Sequence, residues 1–179
     1  MALKKAQKKE SSAPVLDIPV AKVKIRHAEL FEEPQDITTE SGNTFTVDPN
    51  FNCLIEVTDD FMDGQHDGVT FYESFKLKQD DNGKWELRDG TKFGALAKAR
   101  YGNDFFDTDK EFDPEDFDEF EFQAKVQPKK NFTTGQVVGS TLHYETIMAV
   151  PKPKKKGEKT EEQKEAEEAN QQDFADIPF

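Results

Sequence analysis

The 179-residue chain has one cysteine, Cys53, and no apolar run that approaches the ~20 residues of a membrane-spanning helix. A single cysteine excludes an internal disulfide framework and a four-cysteine zinc site. Residues 1–5 carry charge but have no apolar stretch behind them, so we expect no signal peptide. These absences predict a protein of a reducing compartment, by default the cytoplasm, with no membrane partner.

Motifs of the common catalytic and metal sites are also missing. The sequence contains no glycine-rich phosphate loop, no His-Glu-x-x-His metal motif and no Gly-x-Ser-x-Gly nucleophile elbow. The histidines His27, His66 and His143 are scattered, and the acidic neighbours of His66 suggest adventitious metal binding at most. Cys53 lies in an apolar segment, which predicts burial rather than reactivity. We therefore expect no enzyme activity, no catalytic residue, no metal site and no cofactor.

Negative charge is in excess, with a net charge of −13, and it is distributed unevenly. The body of the chain, residues 14–150, has 14 basic and 28 acidic residues. Residues 1–13 are basic and show no apolar periodicity, so they are predicted to form a disordered arm. Residues 151–172 contain no aromatic and no branched aliphatic side chain. They cannot bury enough surface to offset the entropy of ordering, and they are predicted to form a disordered linker.

Several segments of the body alternate apolar and polar residues with a period of two, which indicates half-buried β-strands. Strands are predicted at residues 20–27, 52–57, 69–78, 120–126 and 136–150. His27 is placed on the apolar face of the first strand, and Glu73 interrupts the apolar face of the third. Residues 80–83, Asp-Asp-Asn-Gly, predict a tight reversal and a short hairpin.

One helix is predicted, over residues 92–101, with Thr91 as its N-terminal cap and Gly102 just past its end. The resulting order is three strands, a helix and two strands. This is the order of the five-stranded oligonucleotide/oligosaccharide-binding barrel, the OB-fold, in which the helix lies between strands three and four. We therefore expect residues 14–150 to form a mainly β, OB-fold domain. A small β-sandwich is the alternative.

The composition changes abruptly at residues 173–179, where three large apolar side chains end a polar tail. A terminal phenylalanine offers an aromatic ring and an α-carboxylate together, so a partner can bury the ring and pair the carboxylate with Arg or Lys. The tip could instead pack against its own domain. The predicted partner-binding residues are Asp173, Phe174, Asp176, Ile177, Pro178 and Phe179.

This tip resembles the C-terminus of the bacterial single-stranded-DNA-binding proteins, in which a barrel is followed by a flexible linker and an acidic tip ending in Ile-Pro-Phe. The resemblance covers residues 173–179 and the order of barrel, linker and tip. It departs from the family pattern at residues 174–175, where Phe-Ala dilutes the acidic run. The Phe-rich acidic body looks more like the divergent versions encoded by bacteriophages, which would place the protein in the cytoplasm of a bacterial host.

The resemblance implies a protein that coats single-stranded DNA without sequence preference in DNA replication, recombination or repair. It also implies that the tip recruits partner enzymes, such as a polymerase, a helicase or a nuclease. DNA or RNA preference and oligomeric state stay open, and a homo-oligomer is allowed.

Binding of single strands requires a basic groove and aromatic side chains on which bases can stack. Although the body is acidic, its basic residues cluster on predicted strand faces and in the loop between the last two strands. The predicted DNA-binding residues are Lys22, Lys24, Arg26, Tyr72, Lys76, Lys78, Lys125, Lys129, Lys130 and Phe132. The alternative for each lysine is an ordinary solvated strand face. The alternative for the whole protein is an acidic DNA mimic or adaptor that binds proteins and not DNA.

Overall fold

The structure is a computed structural model that describes residues 13–152 of the chain. Apart from residues 13, 151 and 152, the predicted basic arm, linker and C-terminal tip lie outside the described residues. Within residues 13–152, no helix has both the length and the apolar character needed to cross a membrane.

The described chain is built mainly from β-strands and has one α-helix. The strands are β1 (Ile18–Phe31), β2 (Gln35–Thr38), β3 (Thr44–Val47), β4 (Asn50–Asp59), β5 (Thr70–Lys76), β6 (Lys78–Gln79), β7 (Trp85–Glu86), β8 (Glu121–Lys130), β9 (Val137–Leu142) and β10 (Met148–Ala149). The helix is α1 (Lys92–Tyr101), and short 3-10 turns lie at Phe105–Asp107, Pro114–Phe117 and Tyr144–Thr146.

One antiparallel sheet forms the frame, with the strand order β10-β8-β1-β4-β5 and with β9 also paired to β8. Two separate hairpins, β2–β3 and β6–β7, lie outside this sheet. The prediction of a mainly β chain with one helix is confirmed. The expected five-stranded barrel is not closed: the hydrogen-bonded sheet has six strands, and β5 and β9 are not paired with each other.

The core is formed by the buried face of this sheet. Alternation along the strands places fully buried side chains there, such as Ile25, Ile55 and Phe122. The predicted helix is confirmed at both ends: the Thr91 hydroxyl accepts a hydrogen bond from the Gly94 amide at 3.0 Å, and α1 ends at Gly102. Phe93 of α1 stacks against Phe51 of β4, with 5.4 Å between ring centroids. The helix therefore closes one side of the core.

Two expectations about the strands are corrected, and one hairpin is found that the sequence analysis does not predict. His27 is exposed rather than inward, because an irregularity in the β1–β4 register after Ile25 shifts the alternation by one residue. The single strand expected at residues 136–150 is broken into β9, a 3-10 turn and β10. The hairpin β2–β3 is not among the predicted elements, although its β-branched residues surround a Ser-Gly-Asn turn that favours a reversal.

Candidate nucleic-acid interface

A groove of about 590 Å³ lies between β5, the start of α1 and the β8–β9 hairpin. Four basic side chains line it, and we call it the lysine groove: Lys76, Lys78, Lys92 and Lys129. A second depression of about 590 Å³ is lined by Lys125, Lys129 and Lys130, together with the acidic Asp17. The two depressions adjoin at Lys129 and Thr141, which line both, and we call the two together the binding path.

Most lysines along this path are free of acidic partners. Among the described residues, no carboxylate oxygen lies within 4.0 Å of the side-chain nitrogens of Lys76, Lys78, Lys125, Lys129 or Lys130. Such amines can meet a phosphate without first breaking an ion pair. The structure therefore brings together five of the seven lysines that the sequence predicts for DNA binding.

Lys92 is the exception, and it belongs to a buried network that joins the two free edges of the sheet. Its ammonium donates hydrogen bonds to Glu73 Oε1 at 3.1 Å and to Thr141 Oγ1 at 2.9 Å. Glu73 is only 6% exposed, and its Oε2 accepts from the Leu142 amide at 2.7 Å and from the Thr141 hydroxyl at 2.8 Å.

This carboxylate of β5 thus contacts β9 and α1 at once, where a closed sheet would have a ladder of backbone hydrogen bonds. The contacts explain why Glu73 interrupts an otherwise apolar face. They also mean that Glu73, which lines the lysine groove, is already paired with Lys92.

Cys53 lies on β4 in register with Glu73. The thiol is fully buried, and burial, reinforced by the negative charge of Glu73, raises its pKa far above the ordinary value. The prediction that Cys53 is buried is confirmed, and a thiol in this state is a poor nucleophile.

Two exposed aromatic rings lie on the same elements as the groove lysines. Tyr72 is 73% exposed and shares the outer face of β5 with Lys76. Phe132 is fully exposed in the turn that joins β8 to β9. The Asn131 carboxamide oxygen holds this turn by accepting from the Thr133 and Thr134 amides at 2.9 and 3.1 Å. Both rings can therefore present a face to a stacked base.

The remaining three predicted cations are placed differently. Lys22, Lys24 and Arg26 alternate along β1, and we call them the β1 strip. None of them lines the lysine groove or the second depression. Each is bound to glutamates: Lys22 to Glu121 at 3.0 Å, Lys24 to Glu119 at 3.3 Å and to Glu121 at 3.5 Å, and Arg26 to Glu119 at 2.7 Å and to Glu56.

These ion pairs change the ionisation of both partners. The hydrogen bond from Arg26 is the main cause of the lowered pKa values of Glu56 and Glu119, and the hydrogen bond from Lys22 is the main cause for Glu121. The same contacts with Glu56 and Glu119 raise the pKa of Arg26. The formal charges of the three strip cations and of their three glutamates cancel, so the β1 strip together with these glutamates has no net formal charge.

Sequence reasoning misses one lysine and one exposed aromatic residue that line the groove. Lys92 falls within the predicted helix and Tyr144, which is 44% exposed, falls within a predicted strand, so neither is expected at the interface. The break in alternation at Glu73 indicates that a cation or several donors lie nearby, because a buried carboxylate requires them, but it does not identify Lys92. Nothing in the sequence pattern indicates Tyr144.

A different stretch of the chain carries acidic side chains without basic ones. Residues 27–75 contain twelve acidic residues and no lysine or arginine. The hairpin at residues 35–47, which we call the acidic arm, belongs to this stretch and carries Ile37 and Phe45 as exposed cross-strand neighbours. The charge of the arm would repel a phosphate backbone.

A cluster of acidic side chains in the loop after β4 is explained by the hydrogen bonds that it accepts from the loop backbone. The carboxylates of Asp59, Asp60 and Asp67 lie within 4.8 Å of one another. Asp60 is almost fully buried and accepts hydrogen bonds from the backbone amides of Met62, Gly64 and His66. These hydrogen bonds lower the pKa of Asp60, and the bond from the Met62 amide contributes most. The cluster therefore fixes the loop backbone.

Comparison with known proteins does not assign a family. No protein-family model matches the chain, and no curated protein matches it significantly. Function must therefore be inferred from the groove.

Proposed function

We propose that residues 14–150 form an OB-fold that binds single-stranded DNA without sequence preference, with the lysine groove and the adjoining depression as the binding path. The observation that carries this proposal is a group of five lysines that line the two adjoining depressions and have no acidic partner among the described residues. Tyr72 and Phe132 are exposed on the same elements of the fold.

The strand pairing supports the fold assignment. The five longer strands of the frame are paired in the order β5-β4-β1-β8-β9, which is third, second, first, fourth and fifth along the chain. The helix lies between the third and fourth of them. An OB-fold has this connectivity and is often partly open. In our proposal the Glu73 network takes the place of the pairing between the third and fifth strands.

The chemistry of the path suits a flexible, charged and unpaired polymer. Lysine ammonium groups contact phosphates as point charges, which gives affinity that depends on salt and not on base sequence. Exposed aromatic rings stack on bases of any type. A duplex hides its bases, so it cannot use Tyr72 or Phe132 in this way.

The test is a titration of labelled poly-dT and of labelled duplex with the full chain at low and moderate salt. We expect a strong preference for the single strand. Its log affinity should fall with log salt with a slope of about −0.7 for each phosphate contacted. Equal affinity for duplex and single strand would contradict the aromatic contribution.

A second candidate function is favoured by the acidic stretch at residues 27–75. A stretch with twelve acids and no lysine or arginine resembles the charge of a phosphate backbone, as in a DNA mimic that binds basic proteins. The same titration separates the two functions, because a DNA mimic would bind neither poly-dT nor duplex at either salt concentration.

We further propose that residues 173–179, which lie outside the described residues, recruit enzymes of DNA replication, recombination or repair. The support is the Ile-Pro-Phe sequence at residues 177–179, which ends an acidic stretch, residues 157–179, that has eight acids and two lysines. Changing Phe179 to Ala, or adding a C-terminal tag that removes the free carboxylate, should abolish capture of a purified polymerase, helicase or nuclease partner. Binding of poly-dT should be retained. Undiminished capture by the tagged protein would contradict the carboxylate contact.

A further inference from the structure

A depression of about 720 Å³ lies between α1, the 3-10 turn at Tyr144–Thr146 and β10, and we call it the helix cleft. It adjoins the lysine groove at Gly90, Thr91 and Tyr144, which line both. Its lining also includes Ala95, Lys98, Ala99, Arg100, Met148 and Lys152. A polymer that lies in the lysine groove can therefore continue into the helix cleft past Tyr144.

Tyr144 lies at this junction on a backbone that is fixed to β8. The Thr146 hydroxyl accepts a hydrogen bond from the Lys125 amide at 2.8 Å and donates one to the His143 carbonyl at 2.7 Å. The His143 amide donates to the Lys125 carbonyl at 2.9 Å. The His143 ring lies nearly parallel to the Tyr144 ring, with 6.2 Å between centroids. The turn that interrupts the predicted strand thus holds an exposed aromatic residue between the two depressions.

The helix cleft has an apolar lining next to this ring. Ala95 and Ala99 lie one helical turn apart on α1, and both are partly exposed. Met148 of β10 is 51% exposed. The small alanine side chains leave open space beside the helix. An open, apolar cleft beside an aromatic ring suits an unstacked nucleobase, which is flat and can stack on such a ring.

The charges of the cleft suit the phosphate of a nucleotide. Three basic side chains line it against two acids, Asp89 and Glu145. Asp89 is already paired with Lys98 at 2.7 Å, and Glu145 accepts a hydrogen bond from the Tyr144 hydroxyl at 3.2 Å. Lys152 is exposed, and no carboxylate of the described residues lies within 4.0 Å of its ammonium group.

We propose that the helix cleft is a further subsite for single-stranded DNA, which takes the nucleotides that leave the lysine groove past Tyr144. A base stacks on the Tyr144 ring, and Lys152 binds a phosphate. The inference rests on the proposed function of the lysine groove. The groove adjoins the second depression at Lys129 and Thr141 and the helix cleft at a different set of residues, so the cleft lengthens the site.

The experiment measures the affinity of the full chain for oligo-dT of about 4, 8, 12 and 16 nucleotides, the range of OB-fold site sizes. The blocking variant is Ala99→Leu, because residue 99 lines the cleft but not the lysine groove and leucine is compatible with a helix. Ala99→Leu should match the parent with the shortest oligonucleotide and bind the longest about 5- to 150-fold more weakly. Ala99→Ser keeps the space open and should match the parent throughout.

Two further changes test the cleft without filling it, and they decide the question if Ala99→Leu does not fold. Tyr144→Ala should weaken binding of the longest oligonucleotide about 5- to 150-fold, whereas Tyr144→Phe should bind like the parent because it keeps the ring. Lys152→Ala should make the salt slope shallower by about 0.7 for the longest oligonucleotide and leave the slope for the shortest unchanged.

The outcomes separate this inference from the proposed function. If the parent binds the longest oligonucleotide and the Ala99→Leu and Lys152→Ala proteins reproduce its affinity and salt slope at every length, the inference is wrong and the groove assignment stands. A loss that is equal at all lengths also overturns the inference, because a subsite beyond the groove affects only strands that reach it. If the parent binds no oligo-dT of any length, the proposed function itself fails.

Discussion

The β1 strip and the lysine groove carry the same kind of side chain but differ in what lies next to it. In the strip, three cations face three glutamates within ion-pair distance. Along the groove and the adjoining depression, five lysines have no such partner among the described residues. The difference teaches that a row of cations on a strand face is not a binding surface until the partners supplied by the rest of the fold are known.

The partners of the strip come from distant parts of the chain. Glu56 lies on β4, whereas Glu119 lies in the irregular segment just before β8 and has a positive φ of 57°. Exposed ion pairs are individually weak, typically about 0–1 kcal/mol. Together, however, the three glutamates cancel the positive charge of the β1 strip, so we expect the strip to attract phosphate only weakly. Four changes would break or sharpen this contrast.

The largest effect is expected from removing the Glu73 carboxylate, which lines the lysine groove and joins β5 to β9 through hydrogen bonds. Glu73→Ala leaves Lys92 and the Leu142 amide without their partner, and breaking a buried ion pair typically costs about 3–5 kcal/mol. Urea unfolding should show a loss of about 3 kcal/mol, at the lower end of this range because Lys92 is partly exposed. Ser74→Ala, the next residue of the same strand, should stay within about 0.5 kcal/mol of the parent. A Glu73→Ala protein as stable as the Ser74→Ala protein would rule out a stabilising role for the Glu73 network.

The contrast itself is tested by two triple variants with the same change in net charge. Lys76→Ala, Lys78→Ala and Lys129→Ala together should weaken poly-dT binding about 10- to 100-fold at low salt and make the salt slope shallower by about 2. Removing the three strip cations instead should leave the salt slope nearly unchanged. Equal effects in both variants would mean that overall charge, and not the groove, controls binding.

The contribution of aromatic rings to DNA affinity is tested by comparing rings on the elements that carry the groove lysines with a ring in the acidic arm. Phe132→Ala and Tyr72→Ala should each cost about 1–3 kcal/mol of binding free energy for poly-dT. Phe45→Ala is the control, because this ring is half exposed but lies in the acidic arm, and its removal should leave the affinity unchanged. Poly-dT affinity equal to the parent in both Phe132→Ala and Tyr72→Ala would refute the stacking assignment.

The smallest effect is expected from removing two of the carboxylates that pair with the cations of the β1 strip. Changing Glu119 and Glu121 to Gln leaves Lys22 and Lys24 without their glutamates and should raise poly-dT affinity by a few-fold at low salt, an effect that salt should suppress. Affinity that stays at the parent value at low salt would mean that the strip does not attract DNA even when its cations are unpaired.

The same change should alter acid sensitivity. The pKa values of Glu119 and Glu121 are lowered in the folded protein, so their pairing stabilises the fold above the ordinary glutamate pKa. This stabilisation is lost as the pH falls below about 4.5 through the lowered values. Thermal unfolding between about pH 6 and pH 3 should therefore be less pH-dependent in the double Gln protein. An unchanged pH dependence would argue against the pairing in solution.

Local patterns are sufficient to predict some elements. The helix Lys92–Tyr101 follows from Thr91, Gly102 and helical spacing, and the strand at 120–126 follows from strict alternation. The reversal at residues 80–83 follows from its turn residues and joins β6 to β7 as expected. These features depend on neighbours within a few residues, so a short window of sequence contains their cause.

Long-range contacts cannot be predicted in this way. Arg26 pairs with glutamates that lie 30 and 93 positions away in the sequence, and nothing in the spacing of the β1 strip reveals them. The lysine groove likewise combines β5, α1 and β8, which only the fold brings together. The break in alternation shows that Glu73 is out of place, but it does not show which groups the carboxylate binds.

The Glu73 network also bears on how the protein avoids aggregation. Strands β5 and β9 are edges of the sheet, and an open edge can pair with a strand of another molecule. A charged side chain that points inward from an edge strand opposes such pairing. Glu73 is such a side chain, and pairing of β5 with a foreign strand would separate its carboxylate from Lys92 and Thr141 in a buried setting. The residue that joins the two edges thereby also protects them from intermolecular β-sheet formation.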